Sequence, residues 1–223
     1  MSKRLDLART TGLLYLLIAV TSMLGHLVLG AGLFVTDDPA ATLSNLASTR
    51  ANVAVALVLG IALFQALTAV SFYRLFRAVD GFAAGTLAAF GLVCSVAITL
   101  SAALLGAAVD AATSAPASVE VLHLIDNNLW DASSLFFGLW LVPMGWLVLR
   151  SGWAPRALGW LLVGGGGLYV VSAFTLALMP GSSGLATALA LPASIGELWM
   201  IGHLLVRGVR QPAPHTVELA AAA

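Results

Sequence analysis

The sequence predicts an all-α fold: a polytopic integral membrane helical bundle of six transmembrane helices, with both termini cytoplasmic. Three observations predict it. The 223 residues are 60% apolar and 9% charged, with a mean hydropathy of +0.99. A soluble domain carries about 45–50% apolar and about 25% charged residues, so this chain has too little polar surface to face water all round. Six apolar segments reach the roughly 20 residues that a bilayer crossing needs, and the basic residues cluster in alternate breaks between them. The same composition excludes a soluble enzyme, a disordered chain and a nucleic-acid binder, because ten Lys+Arg stand against ten Asp+Glu and leave no basic excess.

The first span is expected at about residues 10–32. Met1-Ser2-Lys3-Arg4 resembles the charged start of a signal peptide, but the apolar run from Leu13 to Val35 outlasts the about 7–15 residues of a signal core, so it reads as a retained helix. Thr36-Asp37-Asp38-Pro39 breaks the pattern, and a second span follows at about 51–73. The stretch from Tyr73-Arg74-Leu75-Phe76-Arg77 to Asp80-Gly81 leads into a third span at about 83–109, which Ser114-Ala115-Pro116 ends. The fourth is expected at about 129–149, with residues 117–128 extending it outward and Pro143 kinking it. Arg150-Ser151-Gly152 and Pro155-Arg156 precede the fifth, at about 156–179; Pro180-Gly181-Ser182-Ser183-Gly184 precedes the sixth, at about 186–206. Helices are required because a segment in lipid must pair its own backbone amides, and the runs lack the alternation of barrel strands.

Lys3, Arg4, Arg9, Arg74, Arg77, Arg150, Arg156, Arg207 and Arg210 fall on one side of this topology and Arg50 alone on the other. The positive-inside rule places the first side, with both termini, in the cytoplasm. The sequence reads as a multi-pass plasma-membrane protein with one transmembrane domain over 1–210 and a disordered cytoplasmic tail over 211–223, where Pro212, Pro214 and a run of alanines offer nothing to pack. Cys94 is the only cysteine, which excludes an intrachain disulfide and a thiolate metal cluster.

Several strings occur together in a recognisable order: Ala8-Arg9-Thr10-Thr11-Gly12-Leu13-Leu14-Tyr15, Ala41-Thr42-Leu43-Ser44-Asn45-Leu46-Ala47-Ser48, Tyr73-Arg74-Leu75-Phe76-Arg77, Phe136-Phe137-Gly138-Leu139-Trp140, Arg150-Ser151-Gly152-Trp153-Ala154-Pro155-Arg156-Ala157-Leu158-Gly159 and Gly196-Glu197-Leu198-Trp199. In these the chain resembles the bacterial membrane-protein family called domain of unknown function 4386, over about residues 8–208. The fourth-to-fifth hairpin is the most specific segment. The resemblance implies a helical integral membrane protein and supplies no catalytic residues.

Polar groups at membrane depth are costly, so they mark candidate sites. Thr11, Tyr15, Ser22 and His26 on span one, Ser95, Thr99, Gly106 and Asp110 on span three, and Asp131, Ser134, Gly138 and Gly145 on span four each share one face at 100° per residue. These stripes read as inward faces, serving close helix packing or a polar ligand pathway. His26, Asp110, Asp131 and Arg50 lie near the outer boundary and could form one extracytoplasmic cluster or a network satisfying helix ends. Gln65, Tyr169 and Glu197 lie nearer the midplane, where Glu197 is the only carboxylate. Every Lys and Arg lies at or beyond a span end, so Glu197 needs a neutral partner; depth nominates Gln65 and Tyr169, with Glu197 protonated. His26, Asp131, Tyr15, Asp110 and Arg50 complete the ligand-binding candidates with Glu197, Gln65 and Tyr169.

No cofactor is expected. His26 and His203 differ in height by about 20 Å at 1.5 Å per residue, too far to share one haem iron. Gly164 to Gly167 lacks the preceding strand and following Lys-Ser/Thr of a phosphate loop, and reads as a flat helix-packing surface or a bend. Three functions remain: binding or transport of a small amphiphilic or ionic ligand in a polar bundle interior, a structural or regulatory role without substrate, or an enzyme acting on a lipid or isoprenoid. Expected partners are membrane lipids and a small amphiphilic ligand, with no nucleic acid. A cavity reaching Glu197 favours the first reading, a dry closed bundle the second, and a pocket opening at His26 and Asp131 the third.

Overall fold

The computed structural model describes residues 2–179 and 181–209, apart from the side chains of residues 2–4, 26 and 27, and each predicted span is a helix in it. Helix α1 (Ser2–Ser22) continues into a π-helical segment, Met23–Gly30; α2 (Pro39–Leu46) is short; α3 (Thr49–Phe76), α4 (Gly81–Ser114), α5 (Val119–Ser151), α6 (Arg156–Leu178) and α7 (Ser183–Val206) are long. Six of these helices are long and apolar enough to cross a membrane. The tail assigned to 211–223 lies outside the described residues.

The helices α3, α4, α5 and α7 overrun the predicted spans because a helix stops where its backbone finds a cap, not where the hydrocarbon ends. Asp80 starts α4 by accepting the Ala83 amide at 3.1 Å. Gly152, at φ 65°, stops α5 in the left-handed conformation that glycine takes without strain. The fourth span is extended by helix before its predicted start: α5 begins at Val119, a 3₁₀ turn (Pro116–Ser118) joins it to α4, and it runs on through Pro143. A second internal proline, Pro192, lies in α7.

Helix α2 lies in what reads from sequence as a plain break. Asp38 caps it through the Ala41 amide at 2.9 Å and Pro39 supplies a first residue with no amide to satisfy. Thr42 and Asn45 then tie it to the incoming chain, at the Val35 amide and the Gly32 carbonyl, both at 2.9 Å. Leu46, Leu33, Ala51, Ala54, Ala108 and Val119 close a small apolar core beneath it, which Leu122 joins.

The long helices form a closed ring in the order α1–α3–α4–α5–α6–α7, with α1 and α7 sharing its sparsest seam. Six long helices alternating in direction bring the first and last described residues to one face, where Gly208 approaches Leu5. At that terminal end Arg150 pairs with Asp80 at 2.9 Å. The Ala83 amide first, and then the Arg150 guanidinium, hold the Asp80 carboxyl below its ordinary value.

Glycines set the tightest seam. Gly138 and Gly145 on α5 oppose Gly166 and Gly159 on antiparallel α6, so a Cβ at Gly138 would lie 2.7 Å from the Gly166 carbonyl oxygen. The run Gly164 to Gly167 is thus two surfaces. Gly165 and Gly166 meet α7 and α5, whereas Gly164 and Gly167 have nothing within 4 Å.

Two of the predicted inward stripes are corrected. Ser95 does bridge helices, donating to the Ala62 carbonyl at 2.7 Å, but Thr99 and Asp110 are exposed. Thr99 bonds the Ser95 carbonyl one turn back, so its hydroxyl needs no partner helix. The inward face of α4 is instead Leu87, Gly91, Cys94, Ile98 and Ser101. On α5, Asp131 is likewise exposed, while Ser134, Gly138 and Gly145 are buried.

Candidate functional site

The terminal half of the ring is filled. Phe72, Phe76, Leu141, Met144, Leu147, Leu158 and Leu162 are fully buried there. The filling ends in three rings that meet edge to face across the bundle: Tyr15 to Phe72 at 5.6 Å, Tyr15 to Trp140 at 5.5 Å and Phe72 to Trp140 at 6.0 Å between centroids. Quadrupoles favour these edge contacts, which fix each ring. Gly91 makes room for the layer, since a Cβ there would lie 2.9 Å from the Trp140 ring.

Glu197 reaches this layer from α7. Its Oε1 accepts the Tyr15 hydroxyl at 2.5 Å, and the Trp140 indole lies beside the same carboxyl. Tyr15 is 3% exposed, so its hydroxyl depends on that partner. The bond spans the sparse α1–α7 seam. Depth alone nominates Gln65 and Tyr169 as partners, but the helix rotations choose Tyr15; Gln65 instead directs its amide at the Gly91 carbonyl, 3.5 Å away.

On the other side of the aromatic layer the ring is open inside. A cavity of about 160 Å³ is lined from all six long helices, with Ile18, Ser22, Ile61, Gln65 and Ile98 on one side and Trp130, Phe137 and Tyr169 on the other. Tyr15, Trp140 and Glu197 form its floor. Phe137 stacks between Trp130, at 5.6 Å, and Tyr169, at 6.4 Å, giving a continuous aromatic wall on α5 and α6. The Trp130 indole donates to Ser101 at 2.8 Å. A cavity needs about 10–15 Å³ to hold one water, and an engineered cavity of about 150 Å³ takes benzene, so this one has room for a small organic group.

Four of the eight candidates, Tyr15, Gln65, Tyr169 and Glu197, therefore line one cavity. The outer candidates are not gathered. Arg50 directs its guanidinium at the end of the first helix, donating to the carbonyls of Leu29 at 2.8 Å, Val28 at 3.2 Å and Ala31. A cation at a helix C-terminus meets the negative end of the dipole and the unpaired carbonyls there. Among the described residues the ion pair is Arg150–Asp80, so Arg50 joins neither Asp110 nor Asp131. The His26 side chain lies outside the described residues. His203 faces the Trp153 carbonyl at 3.2 Å near the terminal end. Among the described residues no group of three His, Cys, Asp or Glu could hold a metal.

Sequence reasoning passed over Trp130, Phe137 and Trp140 as site residues. Their signal was present, since positions 130, 137 and 140 share one face of a helix, but which face of a helix turns inward is set by its neighbours.

A ring of six apolar helices around a cavity with one acidic group among its described lining residues defines a multi-pass membrane protein with a built interior. The chain belongs to the family described as Domain of unknown function (DUF4386), whose sequence profile matches residues 10–208. No curated protein and no solved structure gives a significant match.

Proposed function

We propose that this protein binds a small amphiphilic ligand inside the membrane, in the cavity above Glu197, as a binding or transport protein. The observation that carries this reading is the cavity itself: an aromatic-walled space at the centre of a bundle whose other half is filled by large buried side chains. Concave, mostly apolar spaces with a few convergent polar groups are the usual form of small-molecule sites. A purely structural bundle gains by filling such a space, because each missing contact forfeits dispersion energy. Purified protein should therefore carry a one-to-one small-molecule adduct in native mass spectrometry, and Ile61→Phe and Ile98→Phe, which fill the space from α3 and α4, should lose it while folding. An adduct retained in both filled variants, or none in the parent protein, would overturn the reading.

The side of the membrane belongs to the same proposal. The basic residues of the terminal end favour a plasma-membrane protein with both termini in the cytoplasm and the α2 loop outside. In a Cys94→Ala background, single cysteines at Ser44, Ser118 and Ser183 should react with an impermeant maleimide in intact cells. Labelling of any of the three only after lysis would reverse the assignment for that loop.

A further inference from the structure

The lining of the cavity says what charge its occupant carries. Glu197 is an acid with neutral neighbours: among the described residues that line the cavity there is no Lys, Arg or His. An ionised carboxyl at this depth needs an opposite charge, and the described residues of the lining bring none to it. The remaining walls are the rings of Tyr15, Trp130, Phe137, Trp140 and Tyr169, with isoleucines opposite. Aromatic faces attract cations through their quadrupole and cover apolar groups equally well. A bare metal cation is a poor match, because Ca²⁺ and Mg²⁺ need about six or more oxygen ligands, and this lining offers one carboxyl with a few hydroxyl and amide groups. An anion would meet Glu197 and the electron-rich ring faces without a compensating charge.

We infer that the occupant is an organic monocation, a protonated amine joined to an apolar or aromatic body of about benzene size, with its ammonium at Glu197 and its body against the Trp130–Phe137–Tyr169 wall. The inference rests on the cavity being a ligand site and adds the charge and size of the ligand. The ammonium takes the carboxyl oxygen that otherwise accepts from Tyr15, or the second oxygen beside it. The apolar body fills a space of about 160 Å³.

Three probes of nearly one shape separate charge from volume: benzylammonium, benzyl alcohol and benzoate. Each is titrated calorimetrically into the full chain in lipid nanodiscs, with partition into empty discs subtracted. Benzylammonium should bind at least about tenfold more tightly than benzyl alcohol, and benzoate more weakly than either. Glu197→Gln should remove most of the benzylammonium preference and change benzyl alcohol affinity less than about twofold. The ranking of the three probes on the unaltered protein needs no variant, so it stands whether or not Glu197→Gln folds. Equal binding of benzylammonium and benzyl alcohol would overturn the cation assignment and leave the cavity a ligand site. Binding of none of the three would overturn the ligand site as well.

Discussion

Glu197→Leu should lower the thermal midpoint of the purified protein by about 4–8 °C, on the scale of roughly 2 kcal/mol for a protein of this size. The loss comes from Tyr15 more than from Glu197. Leucine is at home in a membrane helix, but it leaves the Tyr15 hydroxyl, 3% exposed, with no acceptor. A buried hydroxyl without a partner costs about 1–3 kcal/mol. Glu197→Gln keeps an oxygen where the Tyr15 hydroxyl donates and should melt within about 2 °C of the parent. Tyr15→Phe in the Glu197→Leu background removes both polar groups together, so the double variant should recover part of the loss. That non-additivity is the signature of a pair that acts as a unit. Because the bond joins α1 to α7 across the sparse seam, hydrogen exchange in these two helices should rise first in Glu197→Leu. A Glu197→Leu protein melting with the parent, or strictly additive effects of the two substitutions, would remove the bond as a stabilising contact.

Gly145→Ala should destabilise the protein by about 1–3 kcal/mol, whereas Gly164→Ala and Gly167→Ala should be neutral or stabilising by up to about 1 kcal/mol. The contrast is the prediction, since all three substitutions add the same methyl group to a helical glycine. At Gly145 the new Cβ would lie 2.5 Å from the Gly159 carbonyl and 2.8 Å from the Val163 amide, both backbone atoms that cannot rotate aside. The α5 and α6 backbones must then separate, and in lipid such close packing is the main force joining helices. At Gly164 and Gly167 the methyl meets nothing within 4 Å, so only the better helix propensity of alanine remains. Gly165→Ala should resemble Gly145→Ala, because its Cβ would meet the Ala193 amide of α7 at 2.7 Å. Unfolding in mixed detergent, followed by tryptophan fluorescence, measures the series. Equal stability of the Gly145→Ala and Gly164→Ala proteins would rule out the interlocked seam.

The six spans were legible because hydropathy and length are local properties: each segment is apolar enough by itself, whatever its neighbours do. The special status of Glu197 was legible for the same reason, since a carboxylate in an apolar run far from any basic residue is a feature of the string alone. Some local signals were present and went unused, such as Asp38 before Pro39, an N-cap and first-turn pair that announces α2. The π-helical segment Met23–Gly30 carries no comparable mark, and the Arg50 guanidinium that meets the carbonyls at its end comes from α3, a contact no local pattern announces.

The partner of Glu197 was of another kind. Tyr15, Gln65 and Tyr169 stand at similar depth, and depth is all that counting along a helix supplies. Which of them meets the carboxyl depends on how each helix is rotated and on which helices are neighbours. Those follow from the glycine seams and from the closure of α7 onto α1, contacts between residues as far apart as 15 and 197. The same holds for Arg50, Asp110 and Asp131, which counting places at a similar height but which form no ion pair with one another. Sequence alone therefore determined the class of protein, its crossings and the residue whose charge needs explaining. The tertiary structure decided what that residue touches and where the empty space lies, because azimuth and packing are set by all six helices together.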